Sequence, residues 1–238
     1  MNRPILALLI LLAFSCTSCL EIEEWLQLTK DGSGQFTISI DMSGMYKDPT
    51  AKALLEQAGG EDNPMKALGK VDTVINMKAE AAKAGLENPA FWERVTSSIK
   101  ASEEDSVFIV SFSLQFNQPD EIAYMMQYLP KVGNMAGQEG TPGLGSFFPQ
   151  VMHYVLQDGA LLRRTEAPAA GMAADPSMSA MLAMLPDASY VLKIDAPSRI
   201  KESDIPNAIT DGKRLKARMS LGDAMSGQLE KLDGRIVF

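Results

Sequence analysis

The chain is poor in the residues that most metal and catalytic sites use. Its 238 residues include one histidine and two cysteines, and both cysteines, Cys16 and Cys19, lie near the N-terminus. The usual nitrogen and sulfur ligands of zinc therefore cannot be assembled in the rest of the chain, and disulfides cannot staple it. With 46% hydrophobic residues, a chain of this length can fill a core and fold without them.

Basic residues are also scarce, with 22 Lys and Arg against 30 Asp and Glu and a formal net charge of −8. Nucleic-acid binding needs clustered positive charge to neutralise phosphates, so this composition argues against it. One basic run exists, and it alternates with apolar residues: Lys213, Arg214, Lys216 and Arg218. The alternation predicts a strand with one solvated face rather than a patch for anionic lipid.

The N-terminus carries the most specific signal in the chain. A short positive segment, residues 2–4, precedes an unbroken apolar run over residues 5–14, which is too short to span a bilayer as a helix. Small residues and cysteine follow in the order Ser15, Cys16, Thr17, Ser18, Cys19. This layout resembles the lipobox of bacterial lipoproteins. The resemblance implies that residues 1–18 are a signal peptide and that a cysteine thiol is acylated.

Cys19 is the better candidate for lipidation. It follows the small residues Thr17 and Ser18, whereas Cys16 has the bulky Phe14 two positions before it. Lipidation at Cys19 leaves no other cysteine in the mature chain, while lipidation at Cys16 would leave a free thiol in an oxidising compartment. Cys16 remains the alternative, although it stands where the family usually has leucine. An uncleaved anchor or an ordinary secretory signal is the competing interpretation.

The lipobox resemblance implies attachment to a membrane of the cell envelope through covalent lipid. Several acyl chains hold firmly, because each buried methylene contributes about 0.8 kcal/mol. Cys19 is followed by Leu20 rather than aspartate, which under the enterobacterial sorting rule favours the outer membrane over the inner membrane. Glu21, Glu23 and Glu24 resemble the acidic cluster that helps to export lipoproteins of Bacteroidetes to the cell surface. Glutamates on a solvated strand face would give the same pattern.

Behind the anchor we expect one α+β domain, residues 19–238, with a mainly antiparallel sheet built from hairpins and several helices packed on it. Alternating apolar and polar residues predict strands on either side of an Asp31-Gly32-Ser33-Gly34 turn and over residues 107–116. Asp158-Gly159 predicts a hairpin turn. Further strands are expected at 150–157, 160–165, 189–195, 213–219 and 234–238.

Helix starts are marked by Asn or Asp followed by proline, because the first residue caps and the second fits the first helical turn. These pairs predict helices near 49–58, within 64–84 and over 176–185, and a turn of helix after Pro89 that runs into a strand. An apolar stripe predicts a helix from Pro119 to Leu129, closed by Pro130. The glycines of residues 131–146 predict a mobile loop.

No catalytic, metal or cofactor signature is complete, so we assign no residue to these roles. His153 lies in a predicted strand, and Ser97-x-x-Lys100 lacks the companion motifs of penicillin-recognising enzymes. Glu103 and Glu104 lie in a predicted turn. Methionine is frequent, at 15 residues, and thioethers suit Cu(I). Those of the 176–185 helix alternate with alanine and leucine, which favours apolar packing.

The leading functional hypothesis is a non-enzymatic binding or interaction module of the envelope, with a protein or lipid partner and no nucleic acid. The plan of lipobox, strand, Asp-Gly-Ser-Gly turn and strand resembles uncharacterised lipoproteins of Bacteroidetes. It resembles, more loosely, an actinobacterial lipoprotein domain linked to lipid or glycolipid binding. The alternative is therefore an amphiphile carrier with a cavity lined by Met and Phe. A hydrolase of envelope polymers is the third hypothesis.

Overall fold

Strands dominate the part of the chain that the computed structural model describes, residues 20–47, 70–102, 104–132, 151–166 and 187–238. In chain order they are β1 (Glu21–Leu28), β2 (Gly34–Asp41), β3 (Val71–Asn76), β4 (Val95–Ser102), β5 (Val107–Phe116), β6 (Met152–Gln157), β7 (Ala160–Thr165), β8 (Ser189–Asp195), β9 (Glu202–Ser203), β10 (Ile209–Asp211), β11 (Arg214–Ser220) and β12 (Gly234–Val237). They form an eight-stranded sheet in the order β10-β11-β8-β1-β2-β5-β4-β3 and a four-stranded sheet in the order β6-β7-β12-β9.

Both sheets are built largely from hairpins, as the sequence pattern predicts. The pairs β1–β2, β4–β5, β10–β11 and β6–β7 are antiparallel neighbours. The β6–β7 turn holds Asp158 and Gly159, both with positive φ, which suits a two-residue hairpin turn. Among the described strands the one parallel pair is β1–β8, so the larger sheet is mixed.

In the residues that the structure describes, helices are few and mostly short. Apart from short helical turns over residues 221–232, the described residues contain α1 (Ser43–Lys47), α2 (Lys78–Lys83), α3 (Pro89–Trp92) and α4 (Glu121–Val132). Helix α4 is the longest of these, and it packs on β5, β6 and α2. The expectation of several helices packed on the sheet is wrong because the smaller sheet lies against the core face of the larger one.

The structure differs from the prediction in three places. Residues within the expected 64–84 helix form β3, because its β-branched residues pair with β4. Helix α4 runs two residues past Pro130, since a proline in the last turn removes only one hydrogen bond there. Strands β9 and β10 are too short to show a period in sequence.

Outside the described residues lie residues 1–18, both cysteines, most of the 131–146 loop and the predicted helices at 49–58 and 176–185.

The larger sheet buries one face. Its strands turn every second side chain inward, and the helix α4 adds the apolar stripe that the sequence predicts. These buried side chains include Ile22, Leu26, Phe36, Ile38, Ile40, Val110, Phe112, Leu114, Ile122, Met125 and Leu129. The methionines among them fill the core, as expected for a flexible apolar side chain.

Glu24 connects the two sheets through a buried network. This carboxylate lies on the core face of β1 and is fully buried, as are Tyr154 of β6 and Arg163 of β7. Arg163 donates from Nε to Glu24 Oε1 at 3.1 Å and from Nη2 to Oε2 at 2.8 Å. Tyr154 also donates to Oε1, and Tyr190 of β8 donates to Oε2 at 2.6 Å. Both carboxylate oxygens are therefore satisfied inside the protein.

The other end of the Arg163 guanidinium is held by Asp233, directly before β12. Arg163 Nη1 donates to Asp233 Oδ1 at 2.8 Å and to Thr165 Oγ1 at 2.9 Å. Thr165 in turn donates its hydroxyl and its backbone N–H to Asp233, at 2.7 Å and 2.9 Å. The network thus joins β1 and β8 of the larger sheet to β6, β7 and the start of β12 in the smaller sheet.

Burial keeps the two phenols of the network protonated. Desolvation raises the pKa of Tyr154 and that of Tyr190 well above the ordinary value near 10, and the negative charge of Glu24 raises both further. Each phenol therefore remains a hydrogen-bond donor to Glu24 at neutral pH. Glu24 therefore accepts hydrogen bonds from both phenols and from the Arg163 guanidinium.

We expect Glu24→Gln to lower the free energy of unfolding by about 3–5 kcal/mol, because it removes the fully buried counter-charge of Arg163 and leaves the partly exposed Asp233 as its acidic partner. Urea denaturation followed by circular dichroism measures the change. Replacing both partners, as Glu24→Leu with Arg163→Met, should recover part of the loss, because no fully buried charge is then left unpaired. The recovery is incomplete, since Tyr154 and Tyr190 lose their acceptor and Asp233 loses its cation.

Glu23→Gln is the matched control for this prediction. Glu23 is the preceding residue of β1 and pairs with Lys193 on the partly exposed face of the sheet, where its side chain is 21% exposed. Loss of such a pair should cost no more than about 1 kcal/mol. Equal effects of the two substitutions would show that the buried pair does not hold the sheets together.

Candidate functional site

The outward face of the larger sheet carries the partly exposed side chains of its central strands. Every second residue of β1, β2, β5 and β8 points to this face, and most of these side chains are only partly buried. One row across the sheet follows the strand register through Ile209, Lys216, Lys193, Trp25, Thr37 and Ser113. Trp25 is thus the aromatic residue in the middle of a polar and charged surface.

A groove of about 360 Å³ lies beside Trp25 on this face. It is lined by Trp25, Lys193, Asp195, Arg214, Leu215 and Lys216, which come from β1, β8 and β11. The strands bring these residues together from distant parts of the sequence, because β8 lies between β1 and β11. The volume is at the lower end of the range for small-molecule sites.

Asp195 fixes the geometry of the groove. Its Oδ2 accepts a hydrogen bond from Trp25 Nε1 at 3.0 Å, and its Oδ1 lies 3.3 Å from Arg214 Nε. One carboxylate therefore orients both the indole ring and the guanidinium group. The Arg214 side chain is 80% exposed, so its two Nη groups face solvent.

Positive charge is in excess at the groove. Lys193 forms an ion pair with Glu23, and Arg214 forms one with Asp195. Within the described residues Lys216 forms no ion pair. Its register partners are Lys193 in β8 and Ile209 in β10, and neither is acidic. Lys216 is therefore the groove-lining cation without an ion pair in the described residues, and Asp211, the register partner of Arg214, adds a carboxylate at the edge of the same face.

Hydroxyl and amide side chains continue the same face beyond Trp25. Thr37 and Ser113 share a hydrogen bond at 2.8 Å, and Gln35 Nε2 lies 3.4 Å from Thr37 Oγ1. Next to them, Ser39 and Ser111 are register partners. These hydroxyl and amide side chains can donate and accept hydrogen bonds, but they carry no charge.

The residues considered for catalysis from sequence do not converge. His153 is exposed on β6, with Nε2 at 3.4 Å from Glu166. Ser97 points into the core from β4, whereas Lys100 is exposed on the other face of that strand. Glu104 lies in the turn after β4, and Glu103 lies outside the described residues. Asp31 of the first turn accepts hydrogen bonds from Thr29 and Ser33, which hold its pKa at about 2.

The glutamates after the predicted anchor separate into two groups. Glu21 and Glu23 are on the outward face, where Glu21 accepts a hydrogen bond from Ser189 Oγ at 3.2 Å and Glu23 pairs with Lys193. This fits the interpretation of a solvated strand. Glu24 does not fit it, because it is completely buried. The basic run behaves as predicted: Leu215 and Ala217 are buried, and Arg214, Lys216 and Arg218 point outward.

In the described part of the chain no cluster of three or more His, Cys, Asp and Glu side chains is placed to hold a metal ion. Nor do the helices resolved in that part reach the length and apolarity of a membrane span. The predicted Met-rich helix and both cysteines fall outside it, so the amphiphile-carrier hypothesis and the lipidation site remain predictions.

The chain matches no known protein-family model, and no curated protein sequence is significantly similar to it. Among solved structures, it is similar to the folded domain of the Mycobacterium tuberculosis protein LppM, determined by NMR, with a TM-score of 0.43 and 11% sequence identity. The match covers 86% of this chain and 84% of that chain. A likeness of this degree carries no argument about ligand or activity, so function is argued below from the residues of this chain.

Sequence reasoning missed both the groove and the buried network. Trp25 and Glu24 are adjacent in β1, and a glutamate near the start of a strand is ordinarily expected on the solvated face. Asp195 and Arg214 meet Trp25 only through the pairing of β8 with β1 and β11. The one available signal was the position of Glu24, which has the same parity as the apolar residues Ile22 and Leu26.

We expect iodide to quench the fluorescence of Trp25 more efficiently than caesium, because the groove concentrates anions. The only other tryptophan, Trp92, is fully buried and should be insensitive to both ions. Stern–Volmer titrations of the Trp25→Phe and Trp92→Phe variants separate the two signals. Caesium quenching equal to that of iodide in Trp92→Phe would contradict an excess of positive charge at the groove.

Proposed function

We propose that the protein is a lipid-anchored lipoprotein of the cell envelope, acylated on Cys19, whose domain acts as a non-enzymatic binding or interaction module. The observation that carries the proposal is the way the chain enters the fold. Leu20 is buried, with 2% of its surface exposed, and its carbonyl oxygen accepts a hydrogen bond from the Ser189 backbone N–H at 3.0 Å. Strand β1 starts at the next residue.

This entry leaves almost no linker between a lipid on Cys19 and the sheet. The outer membrane is favoured over the inner membrane by the identity of Leu20, as argued from the sequence. A residue as buried as Leu20 cannot act as a flexible spacer, in contrast to the solvated linkers that let tethered domains move freely. The end of the sheet where β1 begins therefore lies against the membrane surface.

The same geometry sets the height of the groove. Strands β1 and β8 run parallel away from this end, and each residue of a strand advances about 3.3 Å. Trp25 follows Leu20 by five positions, which corresponds to a distance of about 17 Å along β1. The polar headgroup layer on each side of a bilayer is only about 5–8 Å thick. This distance is the greatest height that the groove can have, and with β1 upright on the membrane the groove lies above the headgroups.

A binding role is supported by the character of that groove. It combines an aromatic ring in a fixed orientation with charged groups from two neighbouring strands, and these can orient a ligand that has both an apolar face and a charge. The side chains considered for hydrolysis do not meet in the described structure, as set out above. An interaction module is therefore the function that these residues support best.

Cys19→Ala should abolish incorporation of an alkyne fatty-acid probe and release the protein from the membrane fraction, because no acyl chain would then hold it. Metabolic labelling of cells followed by gel fluorescence and fractionation measures both effects. The matched control is Cys16→Ala, which removes the other cysteine of the same segment and should leave labelling intact. Loss of labelling in Cys16→Ala with full labelling of Cys19→Ala would overturn the assignment.

A further inference from the structure

The groove at Trp25 has a floor and a rim of different chemistry. The indole ring and the hydrocarbon stems of Lys193 and Lys216 provide apolar surface, since long charged side chains bury their stems and keep their charges in water. The rim carries the polar ends. A ligand that fits must have one apolar face and a polar edge.

The donors at the rim that have no acceptor in the described structure are those of Lys216 and the two Nη groups of Arg214. Asp195 engages only Nε of Arg214, at 3.3 Å, and Lys193 is occupied by Glu23. Unused N–H groups of a guanidinium and an ammonium are matched by a carboxylate or a phosphate. The ligand therefore carries one anionic group at its edge.

The space limits the size of the ligand. A groove of about 360 Å³ accommodates one or two small rings rather than an acyl chain. With the proposed anchor and β1 upright on the membrane, the groove lies above the headgroup layer, where soluble ligands rather than the anchoring lipids meet it. A sugar ring has an apolar C–H face that can stack on the indole and hydroxyl groups along its edge. The adjoining row of Thr37, Ser39, Ser111 and Ser113 offers further hydroxyl partners.

We propose that the Trp25 groove binds an acidic sugar, a single ring that carries one carboxylate or phosphate. The ring stacks on Trp25, and its anionic group contacts Lys216 and Arg214. Asp195 holds the indole and the guanidinium in position. This inference names a ligand class for the binding module and rests on that proposed function.

The test is a titration of the purified mature chain, taken from whichever cell fraction contains it, in buffer of low ionic strength with non-ionic detergent. Trp25 fluorescence is followed in the Trp92→Phe variant, a substitution that removes an indole N–H with no hydrogen-bond acceptor in the described structure. The probes are glucuronate, glucose 6-phosphate and glucose. Saturable binding of either anion, with glucose at least about tenfold weaker, is expected, since a charge-assisted pair is lost.

The two anions distinguish the source of the charge. Binding of glucuronate alone identifies a carboxylate ligand, and binding of glucose 6-phosphate alone identifies a phosphate ligand; both support the proposal. Saturation by glucose with equal affinity would overturn it, as would the absence of any saturable response to the two anions.

Lys216→Gln and Lys100→Gln form a matched pair of variants. Both lysines are exposed on the outward face of the same sheet. Lys216 lies on β11, and Lys100 lies on β4, five strands away. Lys216→Gln should weaken binding of the anion about fivefold or more, through loss of one charge-assisted contact in a solvated groove. Lys100→Gln should leave it unchanged. Equal behaviour of the two variants would overturn the proposal, because binding would then follow overall charge.

Trp25→Leu tests the stacking contact separately. It keeps an apolar side chain at the site and should abolish saturable binding, which is followed here by calorimetry. Unchanged calorimetric affinity would overturn the proposal. Lipidation at Cys19 does not enter these titrations, so a chain without lipid could still bind the sugar, and a lipidated chain could fail to bind it. Failure of the ligand and failure of the anchor are therefore separate results.

Discussion

The structure depends on the buried contact between Glu24 and Arg163. The two residues come from different sheets, and around them Tyr154, Tyr190 and Asp233 supply the remaining hydrogen bonds. A buried ion pair need not add net stability relative to apolar residues, but removal of one partner is costly. Because the donors and acceptors match only in one arrangement, we interpret the network as the feature that fixes how the two sheets meet.

Strand β1 transmits that constraint to the surface. Adjacent residues of a strand point to opposite faces, so Glu24 is held in the core while Trp25 is presented on the outward face. Tyr190 points into the core from β8 and donates to Glu24, and the same strand carries Lys193 and Asp195 on its outward side. The network behind the sheet and the groove in front of it therefore share the same two strands. Leu20, at the start of β1, joins this rigid part of the fold to the proposed anchor.

Local patterns predicted much of the fold, but not the parts that bring distant residues together. Alternation identified β1, β2 and β5, because each has one buried face, and the Asp158-Gly159 turn signal identified β6 and β7. The parallel pairing of β1 with β8 joins segments more than 160 residues apart, and no local period encodes it. Burial of Glu24 was equally hidden, since its acceptor oxygens are satisfied by Arg163 and two tyrosines that lie far along the chain.

The central claim, that the Glu24–Arg163 pair makes the two sheets one cooperative unit, is tested most directly by amide hydrogen exchange of the full chain carrying Glu24→Gln. If the pair holds the sheets together, protection in β1 and β8 and protection in β6, β7 and β12 should fall together and by similar free energies. Loss of protection confined to β1, with the smaller sheet exchanging as in the unmodified chain, would contradict the account.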